Sequence, residues 1–108
     1  MTKTVLITGA SSGFGATTAR ELADAGHVVY AGMRDVTGRN AGPAAEARAY
    51  RAAQDGGRVV PLEMDVTVQE DVDQAVGTVI DERGSIDVVV HNAGHMVLGP
   101  LEAFTVEQ

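Results

Sequence analysis

The sequence predicts an α/β fold in three layers: a doubly wound parallel sheet with helices on both faces. Three observations predict it. Short β-branched, apolar runs alternate with segments of helical period along the chain. Two of those runs, 5–7 and 88–90, are apolar at every position, as suits strands covered on both faces. A cluster of glycines closes the first run where a helix should begin. Strands that alternate with helices in this way are parallel and joined by right-handed crossovers.

Thr4-Val5-Leu6-Ile7-Thr8 reads as the first strand, ending at Gly9. A helix follows from about Gly13 to Ala25, with Ala16, Ala19, Leu22 and Ala23 on one face and Gly26 at the C-terminal cap position. Val28 to Met33 is the second strand. The next stretch, with Gly38, Asn40, Gly42 and Pro43, reads as a loop before an alanine-rich helix from about Ala44 to Gln54. Arg58 to Met64 reads as the third strand, and Pro61 within it, a residue confined mainly to strand edges, would suit an edge position. Thr67 and Glu70 form a capping-box pattern ahead of the stripe Val72, Ala75, Val76, Val79 and Ile80, which Gly84 terminates. Ile86 to Val90 is the fourth strand.

At 108 residues the chain is at most one small domain, and 44% hydrophobic with 21% charged residues is the composition of an ordinary globular chain. A net charge of −7 argues against nucleic acid or an acidic membrane face as partner. Arginines 34, 39, 48, 51 and 58 nevertheless gather in one stretch, which is either a small-anion site or a solvated surface. With no cysteine, disulfides, thiolate metal sites and cysteine nucleophiles are excluded, and His27, His91 and His95 lack metal-ligand spacing with nearby carboxylates. There is no apolar run of membrane length. The start, Met1-Thr2-Lys3, has no signal-peptide cleavage site, so a cytoplasmic location is expected.

The chemistry concentrates in Thr8-Gly9-Ala10-Ser11-Ser12-Gly13-Phe14-Gly15, between the first strand and the first helix. A phosphate can approach backbone only where no Cβ intervenes, and amides that open a helix present the positive end of its dipole. Gly15 would let the helix pack closely on the strand. A P-loop would need Gly-Lys-Ser/Thr at the helix start, but Ala16-Thr17 follows Gly15. Gly9-x-Ser11-x-Gly13 also matches the nucleophile elbow of α/β-hydrolases. That motif requires an upstream oxyanion loop, and only one strand precedes it here.

Thr8-Gly9-x-x-x-Gly13-x-Gly15, then Asp65-Val66 after the third strand and Asn92-Ala93-Gly94 after the fourth, resembles the single-domain branch of the short-chain dehydrogenase/reductase family. The resemblance covers nearly the whole chain. It implies a Rossmann fold with strands in the order 3-2-1-4. Residues 1–108 would be the N-terminal part of a single NAD(P)-binding domain, without its catalytic half. It further implies that Gly9, Ser11, Ser12, Gly13, Phe14 and Gly15 line the pyrophosphate and adenosine ribose. Asp65 and Val66 would contact adenine, although Asp65 alone also reads as a turn carboxylate. Asn92, Ala93 and Gly94 would shape the nicotinamide-side ribose pocket and brace the fourth strand; a plain strand-ending turn is the simpler alternative. His91, where the family more often has Asn, reads as a packed or half-exposed strand-end residue.

The tip of the second strand chooses between the two nicotinamide cofactors. A carboxylate there binds both ribose hydroxyls and repels a 2′-phosphate, whereas an arginine pairs with that phosphate. The tip reads Met33-Arg34-Asp35. In the family the discriminating acid usually stands where this chain has Met33, and Arg34 takes the slot of the NADP-selecting base. NADP(H) is therefore favoured over NAD(H), with Asp35 keeping NAD(H) open. Arg39, in a loop longer than the family's usual one, either reaches the same phosphate or is solvated.

The resemblance implies catalysis by a serine, an asparagine and a Tyr-x-x-x-Lys pair. Neither tyrosine, Tyr30 or Tyr50, has lysine four residues on, and the only lysine is Lys3. No catalytic residue is therefore assigned in this chain. Two functions fit these residues. One is an NADP(H)-dependent oxidoreductase that interconverts a small carbonyl and an alcohol, homo-oligomeric at full length, with its catalytic half outside residues 1–108. The other is a non-catalytic NADP(H)-binding sensor or regulatory module.

Overall fold

The structure is a computed structural model and describes residues 2–11 and 13–92. Among the described residues four strands and three helices alternate: β1 (Thr4–Ile7), α1 (Gly13–Asp24), β2 (Val28–Met33), α2 (Ala41–Ala49), β3 (Arg58–Glu63), α3 (Gln69–Arg83) and β4 (Val88–Val90). The strands pair in parallel in the order β3-β2-β1-β4. This is the doubly wound arrangement with β1 at the centre. Pro61 sits on edge strand β3, opposite Ala31, where a residue that cannot donate to a ladder is tolerated.

The pleat sends alternate residues of the inner strands into two separate cores. Val5, Ile7, Val29, Ala31 and Met33 pack with Ala19, Ala23 and Ala44 of α1 and α2. Leu6, Val28 and Tyr30 point the other way, onto Ala75 and Val79 of α3. The small alanines of α1 and α2 let those helices lie close to the sheet. At β4 the cover thins, and Val89 is 61% exposed.

Tyr30 is fully buried, and its hydroxyl donates to Glu82 Oε1 at 2.6 Å. Burial, reinforced by the Glu82 carboxylate, pushes its pKa above the ordinary value of 10.0. Neutral Tyr30 therefore contributes stability that is complete below the ordinary tyrosine pKa and is lost as pH rises through the raised one. Tyr30→Phe is expected to cost about 0.5–1.5 kcal/mol in urea unfolding at neutral pH. The deficit should shrink in alkali; a deficit that grows there would contradict this account.

Several element ends differ from the expectations set by sequence: β1, α1 and β3 stop one residue early, β4 begins at Val88 rather than Ile86, and the larger departures are at α2 and at the start of α3. The second helix was expected over 44–54 and instead spans Ala41–Ala49. Pro43 fits within its first turn because the missing N–H would have had no intrahelical partner there. The helix stops early because Tyr50 turns extended and donates its hydroxyl to both Asp24 carboxylate oxygens at 2.9 Å. Asp24 also receives the Ala53 N–H. This long-range anchor overrides the helical propensity of Ala52 and Ala53.

The capping box expected from Thr67 and Glu70 does not form. Val68 is the N-cap of α3 and makes no side-chain cap bond. Thr67 is turned back to Asp65 instead, giving Oδ1 both its N–H at 2.9 Å and its hydroxyl at 2.6 Å. Asp65 thus forms an Asx-type turn that competes with the cap.

Candidate functional site

The C-terminal ends of β1, β2 and β3 open into a cleft of about 360 Å³. An open α/β sheet takes its ligands at this end of its strands. The glycine loop forms one wall. Gly9 has φ +66° and Gly13 φ +63°, a region that side chains with a Cβ rarely occupy. Ala10 N–H donates to Gly32 O at 2.9 Å, which straps the loop onto β2.

From the other side Asn92 ties the loop to the end of β4. Its side-chain amide donates to Gly9 O at 3.1 Å, and its backbone N–H donates to Thr8 Oγ1 at 2.8 Å. His91 Nδ1 lies 3.3 Å from the same hydroxyl. Gly15 completes the junction. A Cβ there would stand 2.5 Å from Gly9 O, 2.7 Å from Asn92 Nδ2 and 2.9 Å from Ala10 Cα. No side chain fits, so α1 can start this close to β1 only with glycine at this position.

Of the residues singled out from sequence, Gly9, Ser11, Arg34, Asp65, Val66 and Asn92 come together in the cleft lining. Gly13 and Gly15 lie at the start of α1 beside it. At Gly13 a Cβ would meet no atom within 4 Å among the described residues beyond its chain neighbours and its own helix backbone, so open space lies in front of that residue. Phe14 is not part of the lining, and its side chain is 84% exposed. Ser12, Ala93 and Gly94 lie outside the described residues.

The lining also includes residues that were not assigned to the cofactor site from the sequence. Met33 and Met64, each 3% exposed, form an apolar floor. Met64 extends the β2–β3 pairing by donating its N–H to Met33 O at 3.0 Å. Flexible thioethers adapt well to a flat apolar ligand face. Asn40 and Thr67 add polar groups to the rim. The Met33-x₃₀-Met64 relation is set by strand register and has no local sequence signal. Thr67 did have one, the short spacing from Asp65 that favours an Asx turn.

The rim is electrostatically mixed. Hydrogen bonds from the Thr67 hydroxyl and backbone, with Arg34 nearby, hold the Asp65 carboxyl below the usual carboxylate range. It is therefore an ionised acceptor at neutral pH. Arg34 and Arg39 bring positive charge to the same cleft. Asp35 adopts φ +55° and spends its carboxylate on its own loop, accepting the Arg39 N–H at 3.0 Å. It is not part of the cleft lining.

Sheet order, glycine junction and cleft together define a Rossmann-type α/β protein. A family model for short chain dehydrogenases matches residues 3–108, and the chain belongs to this family. It is 39% identical over 104 residues to a 3-ketodihydrosphingosine reductase of Bacteroides thetaiotaomicron, covering 96% of this chain and 33% of that protein. An alcohol dehydrogenase from the archaeon Thermococcus sibiricus, solved with 5-hydroxy-NADP, superposes with a TM-score of 0.70 at 35% identity. That match covers 94% of this chain and 41% of the other. An NADH-dependent reductase solved with NAD gives a TM-score of 0.68 at 31% identity, over 86% of this chain and 36% of the other. The chain thus spans about a third of the length of the curated relatives it matches. Among the described residues no helix is long and apolar enough to cross a membrane.

Proposed function

We propose that this chain is the cofactor-binding half of an NADP(H)-dependent oxidoreductase that interconverts a small carbonyl and an alcohol. The observation that carries the choice of cofactor is the composition of the cleft rim. Arg34 and Arg39 line it, while Asp35, the carboxylate that could have favoured NAD(H), is engaged in its own loop. The alcohol dehydrogenase solved with 5-hydroxy-NADP supports this reading. The reductase solved with NAD is the relative that speaks for the alternative.

The residues fit such a group. The open space before Gly13 leaves room for a pyrophosphate at the start of α1. The methionine floor would take the adenine face, and Asp65 Oδ2, unlike the Thr67-bound Oδ1, would accept from the adenine amine. Arg34 would pair with the 2′-phosphate. Bound NADPH would supply the hydride. The part played by this chain is to bind the dinucleotide, orient it along the strand ends and keep the glycine loop rigid through Asn92.

The complete protein is read as a cytoplasmic homo-oligomer in which a Tyr-x-x-x-Lys pair lies beyond residue 108. Its coding sequence should encode that pair, and the complete gene product should oxidise NADPH with a carbonyl substrate. A polypeptide of residues 1–108 alone should show no turnover, because its only lysine is Lys3 and neither tyrosine is followed by one at the required spacing. Cofactor binding by a complete product with no such pair and no turnover would establish the sensor module in place of the enzyme.

A further inference from the structure

Glu63 closes edge strand β3 in register with Met33. Its side chain then leaves the sheet to grip the loop beyond β2. Oε2 accepts the Asp35 N–H at 2.9 Å, and Oε1 accepts the Val36 N–H at 3.0 Å. One carboxylate therefore holds two successive amides. These amides lie at a backbone turn that needs holding, since Asp35, with φ +55°, is in the left-handed region. The same loop is closed from its far side. Arg39 N–H donates to Asp35 Oδ2, Asn40 N–H donates to Asp35 O at 2.9 Å, and the Asn40 side-chain amide donates to Arg34 O. The result is that Arg34 and Arg39, five positions apart, line one cleft.

We propose that Glu63 is a specificity-determining positioning residue. Its two-pronged hold on the turn after β2 keeps Arg34 and Arg39 as a preformed pair for the 2′-phosphate, with Arg39 the second ligand. The proposal rests on the NADP(H) reading above and deepens it. Glu63 is not part of the cleft lining, and its charge has the wrong sign to bind phosphate. It acts through backbone amides alone. Preorganisation of this kind raises affinity by reducing the ordering left to do on binding.

The sign of the effect separates positioning from simple electrostatics. If Glu63 acted only through its charge, removing it near an anion site would tighten NADPH. Positioning requires the opposite.

The test is titration of NADPH, NADH, 2′,5′-ADP and 5′-AMP against the complete gene product and its Glu63→Ala, Glu63→Gln and Arg39→Ala variants, with thermal melting alongside. The parent should prefer the two 2′-phosphorylated ligands. Glu63→Ala should lower that preference about tenfold while NADH and 5′-AMP binding persist. Glu63→Gln, which keeps one acceptor oxygen, should fall between, and Arg39→Ala should weaken only the 2′-phosphorylated ligands. A parent that prefers NADPH, with Glu63 variants that keep or increase the preference, would overturn the positioning role and leave the cofactor reading standing. A parent indifferent to the 2′-phosphate would overturn both. If Glu63→Ala melts far below the parent, Glu63→Gln decides by the same ratio.

Discussion

Gly15→Ala is expected to weaken dinucleotide binding by about 10–100-fold and to lower stability by about 1–3 kcal/mol. The added methyl would press on two backbone groups of the opposing loop, Gly9 O and Ala10 Cα, and on the Asn92 amide that braces it. None of these is the end of a flexible side chain that could swing aside, except Asn92, whose displacement would break its bond to Gly9 O. The start of α1 must therefore move away from β1, and the glycine wall of the cleft moves with it. Gly13→Val provides the contrast. Its Cβ has no described atom within 4 Å beyond its immediate chain surroundings and carries the strain of a positive φ, about 1–2 kcal/mol, yet the side chain occupies the space in front of the loop. It should abolish dinucleotide binding with less added pressure on the fold. Equilibrium unfolding and cofactor titration of both variants check this. A Gly15→Ala variant that melts and binds like the parent would contradict the packing described for the junction.

Arg34→Ala is expected to weaken NADPH by about 1–3 kcal/mol, which is roughly 5–150-fold, and to leave NADH almost unchanged. The guanidinium stands at the tip of β2 in the same cleft as Asp65, with no carboxylate at Met33 to compete for the ribose. Because Arg34 also helps to hold the Asp65 carboxyl in its ionised form, its loss should move that titration upward, back toward the usual carboxylate range. Titrating both cofactors against the parent and the variant, with the Asp65 carboxyl followed by NMR, measures the two effects together. An unchanged NADPH affinity would remove Arg34 from the proposed phosphate site.

The sheet was legible because its signals are local. Apolar runs marked the four strands, the stripe from Val72 to Ile80 marked α3, and Pro61 pointed to an edge that β3 does occupy. What could not be read depended on residues far apart in sequence. The end of α2 is set by Tyr50 reaching Asp24, and the start of α3 by Asp65 capturing Thr67 before it can cap. Proline in a first helical turn also looks like loop chemistry until the turn is seen.

The same division runs through the site. The glycine loop, Arg34, Asp65 and Asn92 were visible because each follows a strand end, where parallel sheets concentrate polar chemistry. The pairing of Met33 with Met64 and the hold of Glu63 on the neighbouring loop were not. The places of these residues in or beside the cleft come from the register that sets Met33 opposite Glu63. Phe14, which the family resemblance would place on the pyrophosphate and ribose, projects into solvent outside the cleft lining.

A crystal structure of the complete gene product with NADPH tests the central claim most directly. The adenine should lie on Met33 and Met64 beside Asp65, with the 2′-phosphate of the adenosine ribose between the guanidinium groups of Arg34 and Arg39 and the pyrophosphate in front of Gly13. A dinucleotide bound away from the strand ends, or in this cleft with its 2′-phosphate in solvent and Asp35 on the ribose, would contradict the account.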